Sequence, residues 1–153
     1  MLELDNPRWN ELDNAYDTFY STQDFLRRLW AEAPNISSGE WADFLGSLCA
    51  GGQVPSASFA AIPHVIEVAK LRKPQERPMF MLAVCLVEGN RQRNNAPIPH
   101  DLEEAYRQAI EATPPLLLEC LALDWESENL RILMATLAAI QGKFDVVELL
   151  IPE

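Results

Sequence analysis

Histidine is scarce in this chain, with two in 153 residues. Ser-His-Asp and Cys-His catalysis both need a histidine held beside the nucleophile, and two histidines leave no such arrangement to argue. Glycine is scarce as well, at six. The one adjacent pair, Gly51-Gly52, lacks the spacing and the lysine of a phosphate-cradling loop. Basic residues are few: twelve Lys and Arg face twenty-three Asp and Glu, a net charge of −11. Such a balance does not suit a phosphate backbone, which needs clustered cations. No apolar run reaches the roughly 20 residues that cross a bilayer. The sequence therefore predicts no nucleic-acid partner, no membrane span and no cofactor motif.

Cysteine is the next shortage. Cys49, Cys85 and Cys120 each lie in an apolar run, far from one another. Metal binding by cysteines needs close spacing such as C-x-x-C. An odd number of separated cysteines predicts buried free thiols in a reducing compartment. The start, Met1-Leu2-Glu3-Leu4-Asp5, has neither a basic nor an apolar region, which predicts no secretory signal. A cytoplasmic location is expected.

What the chain does have is apolar content, 48% of its residues, enough for a real core. The length predicts one domain spanning 1–153. Charge is unevenly spread. Residues 1–67 carry ten acids and three bases, 68–93 two acids and six bases, and 94–153 eleven acids and three bases. Two acidic lobes around a basic band suit a basic partner. They suit simple solubility equally.

Apolar spacing predicts helices throughout. Leu102, Ala105, Tyr106, Ala109 and Ile110 recur at i, i+3, i+4, i+7 and i+8. Asp101 is placed as the N-cap of that helix and Thr113-Pro114-Pro115 as its end. Trp41, Phe44, Leu45 and Leu48 form a second buried face, with Ser38 as cap and Gly51-Gly52 as stop. Phe25, Leu29, Trp30 and Ala33 form a third, ended by Pro34. Residues 79–87 are apolar without a break and predict a central helix stopped by Gly89-Asn90. A helix over 56–71 is predicted to break near Ile62, because Pro63 removes a backbone hydrogen bond. Further helices are predicted over 129–141, stopped by Gly142, and over 144–151.

A repeat is also visible. Apolar runs end in Cys49, Cys85 and Cys120, with intervals of 36 and 35 residues. That period suits two-helix units stacked on one another. The predicted fold class is all-α, a helical-repeat superhelix (α-solenoid) of about four helical hairpins.

The segment Trp41-Ala-Asp-Phe-Leu-Gly-Ser-Leu-Cys-Ala-Gly-Gly52, then Val54, then Ala57-Ser-Phe-Ala-Ala-Ile-Pro-His64 and Glu67-Val-Ala69, resembles a group of bacterial HEAT-like repeat proteins. The opening Asn6-Pro7-Arg8-Trp9, with Leu12 and Tyr16, is similar to theirs as well. The resemblance covers about the first half of the chain. It implies a HEAT-like superhelix. Some of these proteins resemble immunity proteins, which neutralise secreted toxins by tight binding. Residues 137–151 are similar to the second half of an ankyrin repeat, without its Thr-Pro-Leu-His turn. They read as a generic helix-Gly-helix hairpin.

Two surface groups are candidate partner-binding residues. Asp124, Trp125, Glu126 and Glu128 place an aromatic among acids between two helices. Trp is frequent at binding hot spots, and acids beside it suit a partner's Arg or Lys. The alternative is a Trp folded back on the core, with Ser127 and Glu128 capping the next helix. Asp13, Tyr16, Asp17 and Tyr20 form a second acidic-aromatic stripe, or else one side of a solvated first helix. The pattern His64, His100-Asp101 and a distant Asp124 or Asp145 is similar to that of HD phosphohydrolases, which hold metal between such side chains. Against it, Asp101 reads as a cap and His64 as a packing residue. The basic segments 70–77 and 91–93 oppose the acidic lobes, so a role like that of HEAT-like DNA glycosylases is not expected.

The functional expectation is a non-enzymatic protein-binding module. Most concretely it is an immunity protein occluding a cognate, basic toxin. A metal-dependent phosphohydrolase and a non-catalytic scaffold subunit are the alternatives.

Overall fold

The computed structural model describes residues 1–15 and 20–151. Tyr16 and Asp17 of the second stripe lie outside the described residues. Seven α-helices follow a short 3-10 turn at Pro7–Glu11: α1 (Thr22–Glu32), α2 (Ser38–Leu48), α3 (Ser56–Lys70), α4 (Pro78–Arg93), α5 (His100–Leu121), α6 (Ser127–Ile140) and α7 (Phe144–Leu150). Among the described residues there is no strand, and the fold is all-α. No helix among them is long and apolar enough to cross a membrane.

Helices two apart in sequence pack on each other: α1 on α3, α3 on α5, α2 on α4, and α4 on α6. Sequence neighbours touch as well, so two layers share one connected core running from Trp9 to Leu133. An aromatic cluster joins α1, α2 and α4. Phe25 stacks on Phe44 at 4.0 Å, and Trp41 meets Phe25, Phe44 and Phe80 edge-on. Ala57, Ala60 and Ala61 are buried on α3, where small side chains permit close approach.

Several predicted boundaries differ. Ser37, not Ser38, caps α2: its hydroxyl accepts from Glu40 N, and the Glu40 carboxylate accepts from Ser37 N. α2 ends at Leu48, before the glycines. Gly51 and Gly52 then turn the chain tightly at φ 56° and 76°, and Ala50 and Gln53 exchange backbone hydrogen bonds across the turn. α3 runs through Pro63 in one piece. Twelve of its fifteen residues are buried, and that burial offsets the roughly 3 kcal/mol an interior proline costs. α3 therefore shares the centre with α4.

α4 does not stop at Gly89-Asn90. Gly89 is a crossing point, where an added Cβ would lie 3.6 Å from that of Ala139 on α6. Asn90 donates to Leu86 O one turn back and stays helical. α5 likewise continues through Pro114-Pro115 for 22 residues. Thr113, fully buried, donates its hydroxyl to Ala109 O, while Leu116, Leu117 and Cys120 bury the turns beyond the prolines. α6 begins at Ser127, with Glu126 at the N-cap and no side-chain cap bond, so Ser127 and Glu128 do not cap it. Its end matches prediction: Gly142 at φ 69° closes the helix, with Gly142 N bonded to Ala139 O and Lys143 N to Ala138 O.

The three cysteines of the expected repeat do not take equivalent places. Cys49 caps α2 and Cys85 lies in α4, one layer of the stack, but Cys120 lies in α5, in the other layer. Cys85 and Cys120 are buried and Cys49 is half-buried. Burial pushes the Cys85 thiol up to about 12 and raises Cys120 as well, so neither is a ready nucleophile.

Candidate functional site

Residues 1–15 lie across the helices and, apart from the 3-10 turn, form none of their own. Trp9 is buried and donates its indole N–H to Glu3 O. Leu4 O accepts from Gln23 and from Arg27 on α1. Arg8 donates to Asp101 on α5 at 2.9 Å. On α3, His64 is 2% exposed, and its Nε2 lies 2.8 Å from Leu2 O. Its Nδ1 accepts from Trp30 Nε1 at 3.1 Å. Trp30, expected in the core, is 38% exposed, with its N–H turned inward to this bond.

His64 is thus a packing residue, as its motif suggests, with both ring nitrogens committed. Burial lowers its pKa, against the opposing pull of the Leu2 carbonyl. Asp101 is not a cap. Pro99 holds that position, and Asp101 sits in the first turn, where its bond to Arg8 holds its carboxyl below the usual range. His100 is exposed. Among the described residues no group of three His, Cys, Asp or Glu side chains is placed to hold a metal.

Asp13 and Tyr20 are not on a helix. Asp13 is tied to the start of α3, its N–H donating to Ser56 Oγ and its carbonyl accepting from Ala57 N. Both residues line a polar cavity of about 390 Å³ with Trp9, Asn14, Thr22 and Gln23. The second group is far along the chain, between α5 and α6. Trp125 is half-buried, packs against the core, and donates Nε1–H to Cys120 O at 2.7 Å. The folded-back alternative describes it. Asp124, Glu126 and Glu128 are exposed around it. Among the described residues none of the three side chains has an ion-pair or hydrogen-bond partner.

The basic band is largely consumed inside the chain. Lys70 pairs with Glu67, Arg77 with Glu119, Arg91 with Glu88 and Arg93 with Glu148. Arg77 is buried and also donates to the carbonyls of Ala69 and Arg72, at the end of α3.

One polar cluster escaped the sequence reading. Glu88 is buried in α4 and accepts from Tyr106 Oη at 2.7 Å, Arg91 Nε at 2.6 Å and Gln92 Nε2 at 2.5 Å. Burial alone would raise the Glu88 carboxyl. The bonds from Arg91, Tyr106 and Gln92 outweigh it and hold the group below its ordinary value. Burial, then the Glu88 charge, raises the Tyr106 phenol well above its ordinary value. The spacing of Glu88 and Arg91 was a readable signal; Tyr106, on another helix, was not. The adjoining cavity, about 120 Å³, is smaller than ordinary ligand pockets. The cluster ties α4 to α5.

Comparison with family models, curated proteins and solved structures finds no match to this chain.

Proposed function

We propose that this chain is a protein-binding module of the HEAT-like helical-repeat class, acting as an immunity protein that occludes a cognate bacterial toxin in the cytoplasm. The observation carrying the binding role is the loop between α5 and α6. There and in the first turn of α6, Asp124, Glu126 and Glu128 lie in solvent, their side chains without an ion-pair partner among the described residues. Uncompensated acids beside a half-buried Trp suit a basic protein surface. The packing of helices two apart supports a repeat stack, since stacked helical hairpins make such contacts. The toxin assignment rests on the resemblance of residues 41–69 and 6–16.

The test is affinity capture from source cells, with mass spectrometry of what is retained. A stoichiometric basic, toxin-like protein supports the reading. Recovery of the chain alone with bound divalent metal overturns it and favours the phosphohydrolase alternative. Trp125→Ala should weaken the complex by about 2 kcal/mol. Because Trp125 also packs on the core, charge reversal at Glu126 and Glu128 is the cleaner variant. It should cost tenfold or more in affinity with the fold intact.

A further inference from the structure

His64 is held between two partners of opposite kind. An indole N–H can only donate, so the Nδ1 that meets Trp30 Nε1 at 3.1 Å is an acceptor. The neutral ring then carries its proton on Nε2, which donates to Leu2 O at 2.8 Å. The partners alone fix this tautomer. A second proton has one place to go, Nδ1, and there it faces the Trp30 N–H, donor against donor. The charged ring and the Trp30 bond exclude each other.

The two partners are not equally held. Leu2 O accepts from a charged ring as well as from a neutral one, and a charged donor makes the stronger bond. Protonation therefore leaves that bond in place. Trp30 meets the imidazole edge-on at 88° and is 38% exposed, whereas His64 is 2% exposed. Turning out an indole already partly in water removes less burial than lifting His64 off α3. Trp9, with its ring centre 6.2 Å from that of His64, is buried and has its own N–H on Glu3 O.

Charge leaves the ring neutral near neutral pH. The Met1 amine opposes its protonation and Glu3 favours it. Charges on the elements around it are spent in pairs: Arg27 of α1 with Asp5 and Asp24, Arg8 with Asp101 of α5, and Glu67 of α3 with Lys70. Burial works against the charged ring, so the proton goes on below the ordinary 6.5.

We propose that His64 and Trp30 form an acid-operated latch: a proton on His64 Nδ1 expels the Trp30 indole into solvent, while the first residues stay tied to α3 through Leu2 O. The front of the stack shows an added aromatic surface in acid and withdraws it at neutral pH. The latch needs no partner and stands apart from the toxin-binding reading.

The test is nuclear magnetic resonance of the whole chain from pH 7.5 to about 4.5, where carboxylates begin to titrate. Imidazole nitrogen shifts report the charge on His64. Indole N–H exchange, corrected for the pH dependence of a free indole, reports Trp30, Trp9 and Trp125. Trp125 bonds to Cys120 O far along the chain and serves as the monitor of the fold. The expected result is a loss of at least tenfold in Trp30 protection that follows the His64 titration, with Trp9 and Trp125 unchanged. His64→Gln should abolish that loss. A protonated His64 beside a still-protected Trp30 overturns the latch. So does a His64 that stays neutral to pH 4.5, a joint loss of protection at all three indoles, or an unchanged Trp30 loss in His64→Gln. Should His64→Gln not fold, the native titration decides by itself, through whether the His64 and Trp30 midpoints coincide.

Discussion

The two ends of the helix stack are finished in different ways. At the front, residues 1–15 fold back over the helices and use main-chain oxygens as anchors. Leu2 O meets His64, and Leu4 O accepts from Gln23 and Arg27. The helix entering this end, α2, has a reciprocal cap between Ser37 and Glu40. At the back, α6 and α7 start without side-chain caps, and α7 has only seven residues and none buried. Apolar side chains there face solvent. One end closes on itself, whereas the other presents a surface. The contrast sets a closed first end against a last 30 residues that leave apolar side chains in solvent.

The largest break in that contrast should come from Phe44, fully buried and stacked on Phe25. Phe44→Ala is expected to cost about 3–5 kcal/mol in urea unfolding, through lost burial and the cavity left behind. Glu88→Ala should come next, at about 3 kcal/mol. It strands the buried Tyr106 hydroxyl and leaves the half-buried Arg91 unpaired, and thermal melting of the variant would read it. If Glu88→Ala is neutral, the cluster does not hold α4 to α5.

Acid should weaken the front end specifically. His64 is held below its ordinary 6.5 by burial. The unfolded chain then takes up a proton that the folded chain refuses. Stability is complete above pH 6.5 and is lost as pH falls through 6.5 toward the depressed folded value. His64→Gln should flatten this limb in a series of melts from pH 7.5 to 5. A slope identical to that of the native chain would place the acid sensitivity elsewhere. Smaller again, Ser37→Ala should cost about 1 kcal/mol, while Glu126→Ala, at an N-cap without a cap bond, should cost nothing measurable. Leu149→Ala is likewise small, expected within about 0.5 kcal/mol because the side chain is already in water.

Much of the fold was legible because periodicity reports which face of a helix is buried. Trp41, Phe44, Leu45, Leu48, Leu102, Tyr106 and Ala109 are all in the core, as their spacing indicates. Helix ends were less legible. Pro63, Pro114-Pro115 and Gly89-Asn90 are local stop signals, and each was overridden. The override is energetic: a missing backbone bond costs a few kcal/mol, and several buried apolar side chains beyond it outweigh that. Of the candidate site, the acids around Trp125 lie in solvent as the sequence suggests. The indole itself does not stand free, because its N–H found Cys120 O.

By itself the sequence determined the helical class, the buried face of most helices, and the acidic character of both lobes. These are local or additive properties, carried by spacing and by composition. Only tertiary structure decided the rest. It spent most of the basic band on internal partners, placed Tyr106 on Glu88, and laid the first residues over His64 and Asp101. It also left Leu130, Met134 and Leu149 uncovered. Those outcomes depend on which helix arrives beside which, and pair contacts between distant residues leave no periodic trace in the chain.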